Sequence, residues 1–345
     1  MKLVRTEDAV GQVLCHDITQ IIPGVVKDAV FRKGHIVTKE DIPVLLSVGK
    51  ENLYIWEKQE GMLHENEAAE ILRQICQGEH MHPSEVKEGK IELIADCEGV
   101  LKINTEKLNA VNNLGEMMIA SRHGNFPVKT GDKIAGTRII PLVIEEEKMQ
   151  KACEVAGKEP IFRILPYQKK KAGIVTTGSE VYYHRIEDKF TPVVIEKLKE
   201  CGVTEVKQIQ CNDDHEMIME AIQTLIEDGS DLIVCTGGMS VDPDDRTPLA
   251  IKNACTEVVT YGAPVLPGAM FMLAYCEKEG RQMPVMGLPG CVMYAKRTIF
   301  DLVLPRIMCD EKLHEKDFRL LGQGGLCLSC PVCTFPNCGF GKGGY

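Results

Sequence analysis

The sequence predicts an α/β protein whose second half is a parallel-sheet, three-layer domain, preceded by smaller α+β and mainly-β segments. Three observations carry this reading. Short apolar runs alternate with amphipathic stretches of helical length from residue 172 onward, the rhythm of strand–helix units. Glycines stand where those helices must stop, at Gly202 and Gly229, as helix C-termini prefer. Several strand ends run into Gly-containing loops, the place where open α/β sheets put their functional surface.

Residues 1–56 mix short extended runs with one helical stretch, where Ile42, Leu45 and Leu46 recur at helical spacing before Gly49. A helix is predicted over 65–76, with Ala68, Ala69, Leu72 and Cys76 on one face. From 90 to 144 the period shifts toward two, as in Gly99-Val100-Leu101-Lys102-Ile103, so this section reads as mainly strands. The acidic stretch 145–158 is helix-prone, and Pro160, Pro166 and Lys169-Lys170-Lys171 follow as a hinge. Beyond it, strands are predicted at 172–177, 203–209, 231–236 and 284–287. Helices fall between them, through Val194 and Leu198, through Met217, Ile222 and Leu225, and finally through Val292, Ala295, Ile299 and Leu302 toward Pro305. The segments are therefore 1–60, 61–150, 151–310 and a Cys/Gly-rich tail, 311–345.

A chain of 345 residues with 44% hydrophobic content is long enough for two or three domains. A formal charge of −10 without any long Lys/Arg block argues against nucleic acid as a partner. No apolar run approaches the ~20 residues that span a bilayer, and the first eight residues lack a signal-peptide core; the expectation is a cytoplasmic protein with no membrane contact. The fifteen cysteines form two populations, eleven scattered and four in the last twenty residues. The scattered ones, such as Cys201 and Cys235, read as small buried hydrophobes in a reducing compartment.

The candidate chemistry gathers at three loops: Thr177-Gly178-Ser179, Thr236-Gly237-Gly238 and Leu288-Pro289-Gly290. Loops with few bulky β-carbons let backbone N–H groups converge on one anion, and a following helix N-terminus adds its dipole. Three such loops at strand ends favour a phosphate-bearing ligand. Asp213 and Asp214 follow the second strand, while Asp242, Asp244 and Asp245 follow Gly238. Carboxylates beside an anion site repel the ligand unless a cation bridges them, which points to Mg²⁺ shared with phosphate. The competing role is helix capping, a strong preference of Asp.

These residues resemble the molybdopterin-binding domain shared by molybdopterin adenylyltransferases, molybdopterin molybdotransferases and competence-damage-type proteins. Thr236-Gly237-Gly238 with Ser240, Asp245, Thr247 and Pro248 looks like the family signature. Asp188, Asp213 and Leu288-Pro289-Gly290 fall in the family's order. The resemblance implies a pterin held by the Gly-containing loops and metal or nucleotidyl chemistry at Asp213 and Asp245. It further implies ATP and molybdate as co-substrates, a recipient molybdoenzyme and a homo-oligomer. The stretch from Phe31 through Gly49 to Leu53-Tyr54-Ile55 resembles the molybdotransferase branch. That branch's Met-Asp-Gly-Tyr-Ala motif is missing, and Pro267-Gly268 is flanked by Leu266 and Ala269 where the branch places lysines. The expected function is molybdopterin binding with Mg²⁺-dependent activation or transfer of the pterin. The alternative is a non-catalytic carrier that delivers the finished cofactor.

The tail spells C-x2-C-x2-C-x4-C through Cys327, Cys330, Cys333 and Cys338. Four thiols in twelve residues predict one metal centre, either an iron–sulfur cluster or Zn²⁺. Because the tail lies beyond the final helix, the core is expected to fold without it after truncation at Asp310.

Overall fold

The computed structural model describes residues 2–22, 26–55 and 60–343; residues 23–25 and 56, within the stretch read as short extended runs, lie outside them. The chain forms two compact units. One comprises Met1–Asp96, Ile103–Arg122 and Thr130–Arg163, the other Cys97–Lys102, His123–Lys129 and Ile164–Tyr345. No helix among the described residues is long and apolar enough to cross a membrane.

In the first unit Lys2–Arg5 pairs antiparallel with Asn52–Ile55, and Ile18–Ile22 with Val26–Phe31. The helix Asp41–Ser47 contributes Leu45 to a small core with Leu14, Ile18, Val37 and Leu53. The stretch predicted as helical at 65–76 is the helix Glu65–Cys76. It starts at a reciprocal cap, in which His64 accepts from Asn66 N–H and the Glu67 carboxylate accepts from His64 N–H. The predicted face is the buried one, with Ala68, Ala69, Leu72 and Cys76. Met81–Pro83, Lys90–Ala95, Lys133–Ile139 and Met117–Ser121 form one antiparallel sheet in that order. The strand-rich stretch also holds a helix, Thr105–Asn112, that alternation alone does not reveal. Of its residues only Val111 is buried, so its apolar stripe is too thin to read.

The second unit is built on a six-stranded sheet. In chain order its elements are β1 (Lys171–Thr176), α1 (Phe190–Glu200), β2 (Glu205–Gln210), α2 (His215–Glu227), β3 (Leu232–Thr236), α3 (Thr247–Ala254), β4 (Glu257–Tyr261), β5 (Met272–Lys278), β6 (Arg281–Leu288) and α4 (Ile299–Met308). The sheet order is β2-β1-β3-β6-β5-β4. The β1–β2, β1–β3 and β3–β6 pairs are parallel, while β5 and β4 run antiparallel at the far edge. The expected parallel sheet is formed by β2, β1, β3 and β6, and β5 and β4 extend it with antiparallel pairs. The β5–β6 pair is a tight hairpin turning at Gly280, φ +77°, which needs no helix between its strands.

Period two sends alternate side chains to opposite faces. Ala172, Ile174, Val234 and Met286 meet Val194 and Leu198 of α1 and Phe300 and Val303 of α4. Val175, Ile233, Cys235 and Val285 meet Ile218, Ile222 and Leu225 of α2 and Ile251 of α3. Both faces are covered, giving three layers. Full burial of each such aliphatic side chain contributes roughly 1.5–3 kcal/mol. β2 is the exposed edge, with Glu205, Lys207 and Gln208 along it, a composition that discourages further strand pairing.

Two further expectations are corrected. The last helix does not run from Val292 to Pro305. A short 3₁₀ turn, Gly290–Met293, follows β6, and α4 begins afresh at Ile299 behind the cap formed by Thr298 and Asp301, with Pro305 inside it. The tail is also not separable packing. Leu313, Phe318 and Phe340 are buried in the core that α4 closes, and Arg306 bonds Glu311 and Asp317 at 2.6 and 2.8 Å. A tail judged by its glycines and cysteines conceals the aromatic side chains that anchor it.

Candidate functional site

The site starts from register. Thr176 stands opposite Thr236, and Thr236 opposite Leu288, so β1, β3 and β6 end level and release their loops side by side. The structure brings together the three loops singled out in the sequence. Thr177 N–H donates to the Thr236 carbonyl at 2.8 Å, and the Thr177 hydroxyl donates to the same oxygen at 3.2 Å. Thr177 Oγ1 also lies 3.1 Å from Thr247 Oγ1 at the start of α3, where Pro248 sits in the first turn.

The two central glycines are required by this packing. Gly237 has φ +87°, and a β-carbon on it would lie 2.4 Å from the Thr177 carbonyl oxygen. Gly238 has φ +53°, and a β-carbon there would lie 2.8 Å from Thr247 Oγ1 and 3.7 Å from Asp245 Oδ1. Both positions belong to the left-handed region that only Gly enters freely. The loop is therefore pressed against Thr177 and the N-terminus of α3, with the Asp245 carboxylate beside it.

Thr236 contributes the most informative atom. Its hydroxyl is buried and is the side-chain oxygen or nitrogen left without a hydrogen-bond partner among the described residues. Burying an unpaired hydroxyl costs about 1–3 kcal/mol, and it sits at the strand end between Thr176 and Leu288.

The aspartates divide by role. Asp214 caps α2, accepting from Met217 N–H at 2.9 Å. Asp213 instead reaches across to the first loop and accepts from Ser179 N–H at 2.8 Å. Asp188 accepts from Phe190 N–H and Thr191 N–H, both at 3.0 Å, and from Gln208 Nε2 at 3.0 Å. Burial opposes its ionisation, but those hydrogen bonds hold its carboxyl below the usual carboxylate range. Asp188, just before the N-cap residue Lys189, thereby holds the first two N–H groups of α1. Ser240 is exposed, Leu288 and Pro289 are buried, and Gly290 opens the 3₁₀ turn on the surface.

Sequence reasoning missed Tyr261 and Gln208. The Tyr261 hydroxyl donates to the Met239 carbonyl at 3.2 Å, directly after Gly238; burial and the Asp245 charge push it up. Alternation in Glu257-Val258-Val259-Thr260-Tyr261 was the available signal. Gln208 Nε2 binds Thr176 Oγ1, Thr191 Oγ1 and Asp188, a convergence that no linear pattern encodes.

Among the described residues no group of three or more His, Cys, Asp or Glu side chains is placed to hold a metal ion. This applies to the Asp213 and Asp245 region and to the tail, where the expected thiolate centre is not assembled. Cys327 and Cys338 pack against the core, whereas Cys330 and Cys333 are exposed. Of the eleven scattered cysteines, Cys76, Cys201 and Cys211 have thiols pushed up by burial, to about 12, 12 and 11, in keeping with unreactive packing roles.

Comparison with known proteins agrees with this geometry. Residues 173–308 match a family model described as a probable molybdopterin binding domain, and residues 3–57 match a domain of unknown function. A CinA-like protein of Mycobacterium sp. (strain MCS) is 35% identical over 85 residues, 25% of this chain and 20% of the relative. A CinA-like protein of Mycobacterium avium (strain 104) is 34% identical over 95 residues, 28% of this chain and 22% of the relative. The chain thus spans about a fifth of the length of the curated relatives it matches. Among solved structures, the tungsten cofactor synthesizing protein MoaB from Pyrococcus furiosus superposes with a TM-score of 0.32 at 22% identity, over 36% of this chain and 84% of that one. The molybdopterin biosynthesis enzyme MoaB from Thermus does so with a TM-score of 0.33 at 19% identity, over 41% and 98%. Residues 173–308 of this chain carry a probable molybdopterin binding domain.

Proposed function

We propose that the second unit binds molybdopterin through its phosphate at the three adjoining loops and acts in molybdenum-cofactor biosynthesis, activating or transferring the pterin in a Mg²⁺-dependent step. The buried, unpartnered Thr236 hydroxyl carries this reading, because it supplies a ready donor where three amide-rich loops emerge together. Gly237 and Gly238 keep the loop free of β-carbons, so a phosphate can approach the backbone closely. Asp213 fixes the Thr177-Gly178-Ser179 loop through Ser179 N–H, and Asp245 lies beside Gly238. Mg²⁺, when bound, would neutralise phosphate charge. With no three-ligand protein set among the described residues, Asp213 and Asp245 would share it with phosphate oxygens and water. Under this reading ATP and molybdate are co-substrates, a molybdoenzyme is the recipient and the protein works as a homo-oligomer.

A second reading is a non-catalytic carrier delivering cofactor to a molybdoenzyme. It is favoured by the Pro267-Gly268 turn, which packs against Ile299 and is flanked in sequence by Leu266 and Ala269 rather than by lysines. Incubation with molybdopterin, ATP and Mg²⁺ distinguishes the two: turnover supports the enzyme, and tight binding without turnover supports the carrier. Asp245→Asn should lower Mg²⁺-dependent turnover at least tenfold while leaving pterin affinity within about threefold. Full activity in that variant would reduce Asp245 to a structural role.

A further inference from the structure

We propose that Cys330 and Cys333 form a redox-active dithiol that exchanges with small disulfides and closes to an internal disulfide at the surface of the second unit. The segment reads Cys330-Pro331-Val332-Cys333, the C-x-x-C arrangement of redox-active thiol pairs.

The backbone supports the pairing. The chain bends at both Pro331 and Val332, and proline suits the second position of a four-residue turn because its ring presets φ. Such a turn brings its end Cα atoms within about 7 Å, while a disulfide bridges Cα atoms about 4.4–6.8 Å apart. Closing the bridge therefore asks for side-chain rotation and little backbone movement.

The turn is held on both flanks. On one side Cys327 N–H donates to the Leu266 carbonyl at 2.8 Å. On the other, Phe335 packs against the core, with the Arg297 guanidinium 5.3 Å from its ring centroid. At the bend itself Lys296 Nζ donates to the Pro331 carbonyl at 2.8 Å. A fixed turn favours the bridge, because less chain entropy remains to be lost when the two sulfurs join.

Access selects this pair. Cys330 and Cys333 are exposed, whereas Cys76, Cys201 and Cys235 are buried; exchange needs a thiolate that can reach the disulfide it attacks. Beside the pair lies a cavity of about 550 Å³, lined by Leu326, Leu328, Phe335 and Phe340 together with both thiols. That volume is in the range of small-molecule pockets, and its apolar wall offers a seat to the substituent of an incoming disulfide.

The exchange balances in two steps. One thiolate attacks a disulfide R–S–S–R, forming a mixed disulfide and expelling RS⁻. The second attacks the protein sulfur of that mixed disulfide, forms the Cys330–Cys333 bond and expels the other RS⁻. The pair gives up two electrons, R–S–S–R is reduced, and the two thiol protons leave on two RSH.

The test titrates the reduced full chain anaerobically through glutathione buffers of rising disulfide content, followed by acid quenching, alkylation and peptide sequencing by mass spectrometry. Cys330 and Cys333 should lose alkylation together, appear bridged to each other before any other cysteine is oxidised, and return to thiols in dithiothreitol. Cys333→Ser should stop at a mixed disulfide of Cys330 with glutathione, and Cys330→Ser at one of Cys333, each with unchanged far-UV circular dichroism. Lys296→Ala, which frees the turn, should need about threefold more oxidised glutathione for half conversion at fixed reduced glutathione. Two separate mixed disulfides without a bridge, a first bridge between any other pair of cysteines, free alkylation of both thiols at the highest disulfide content, or a Lys296→Ala titration that superimposes on wild type would each overturn the proposal.

Discussion

Ser179 N–H donates to Asp213 Oδ2 at 2.8 Å, joining residues 34 positions apart. The bond ties the loop after β1 to the loop after β2, so Asp213 shapes the candidate site even before any ligand arrives. Asp213→Asn keeps an acceptor oxygen and should leave pterin affinity within about threefold. Asp213→Ala leaves the N–H without its partner, costing about 1–2 kcal/mol and weakening binding roughly tenfold. Isothermal titration of both variants separates the outcomes, and equal affinity in Asp213→Ala would remove this bond from the site.

Gly237→Val places a β-branched side chain at φ +87° with its β-carbon 2.4 Å from the Thr177 carbonyl oxygen. The backbone must move out of the loop, at a stability cost of roughly 1–3 kcal/mol. Pterin binding should fall more than a hundredfold in protein that still unfolds cooperatively. Unchanged affinity in such folded protein would exclude the loop as the binding surface.

Thr236→Val exchanges the unpartnered buried hydroxyl for a methyl of nearly the same shape. Because the hydroxyl has no partner to lose, the variant should be as stable as wild type or more so by about 1 kcal/mol. Pterin affinity should nevertheless drop about tenfold, since the donor meant for the ligand is gone. Calorimetry read alongside titration gives both numbers, and a variant that is less stable with intact binding would assign Thr236 to the scaffold.

The candidate loops were legible because glycine at a strand end has few structural substitutes, and Thr236-Gly237-Gly238 announces both the turn and the close approach to Thr177. The helix Glu65–Cys76 was equally plain from the spacing of Ala68, Ala69 and Leu72. The hairpin of β5 and β6 was not, because Met272, Leu273, Ala274 and Tyr275 are all buried, and a run without alternation does not distinguish antiparallel from parallel pairing. Tyr261 and Gln208 escape for another reason: their roles exist only through contacts with residues seventeen or more positions away. The glycines and cysteines of the tail do not reveal that Phe318 and Phe340 are buried and that Phe335 packs against the core.

Acid should unfold the second unit partly through Arg306. Burial works against ionisation of Glu311 and Asp317, yet Arg306 beside them holds both carboxyls below their usual values. Groups with depressed folded-state values stabilise the protein above their unfolded values and lose that contribution as pH falls through the folded ones. Glu311→Gln should therefore cost roughly 1–3 kcal/mol at neutral pH, and the gap from wild type should close as pH drops below about 4.3. Urea titrations at a series of pH values check this, and a gap that is constant down to strong acid would contradict it.

Truncation after Asp310 should fail to give a folded second unit. Phe318 packs against Phe271 with ring centroids 6.0 Å apart, and Leu313 and Phe340 are buried in the same core. Removing one large buried side chain costs about 3–5 kcal/mol, and total stabilities are only about 5–15 kcal/mol, so losing three leaves little to hold α4 against the sheet. The Arg306 guanidinium, largely buried, also loses Glu311 and Asp317, stranding a charge that costs several kcal/mol. The truncated chain should bind hydrophobic dyes and lack a cooperative thermal transition. Phe318→Ala in the full chain, with an expected loss of about 3–5 kcal/mol, reports the same contact without removing the tail. If the truncated chain melts as sharply as wild type, Phe318 and Phe340 are passengers, and the cysteine-bearing segment is an independent appendage after all.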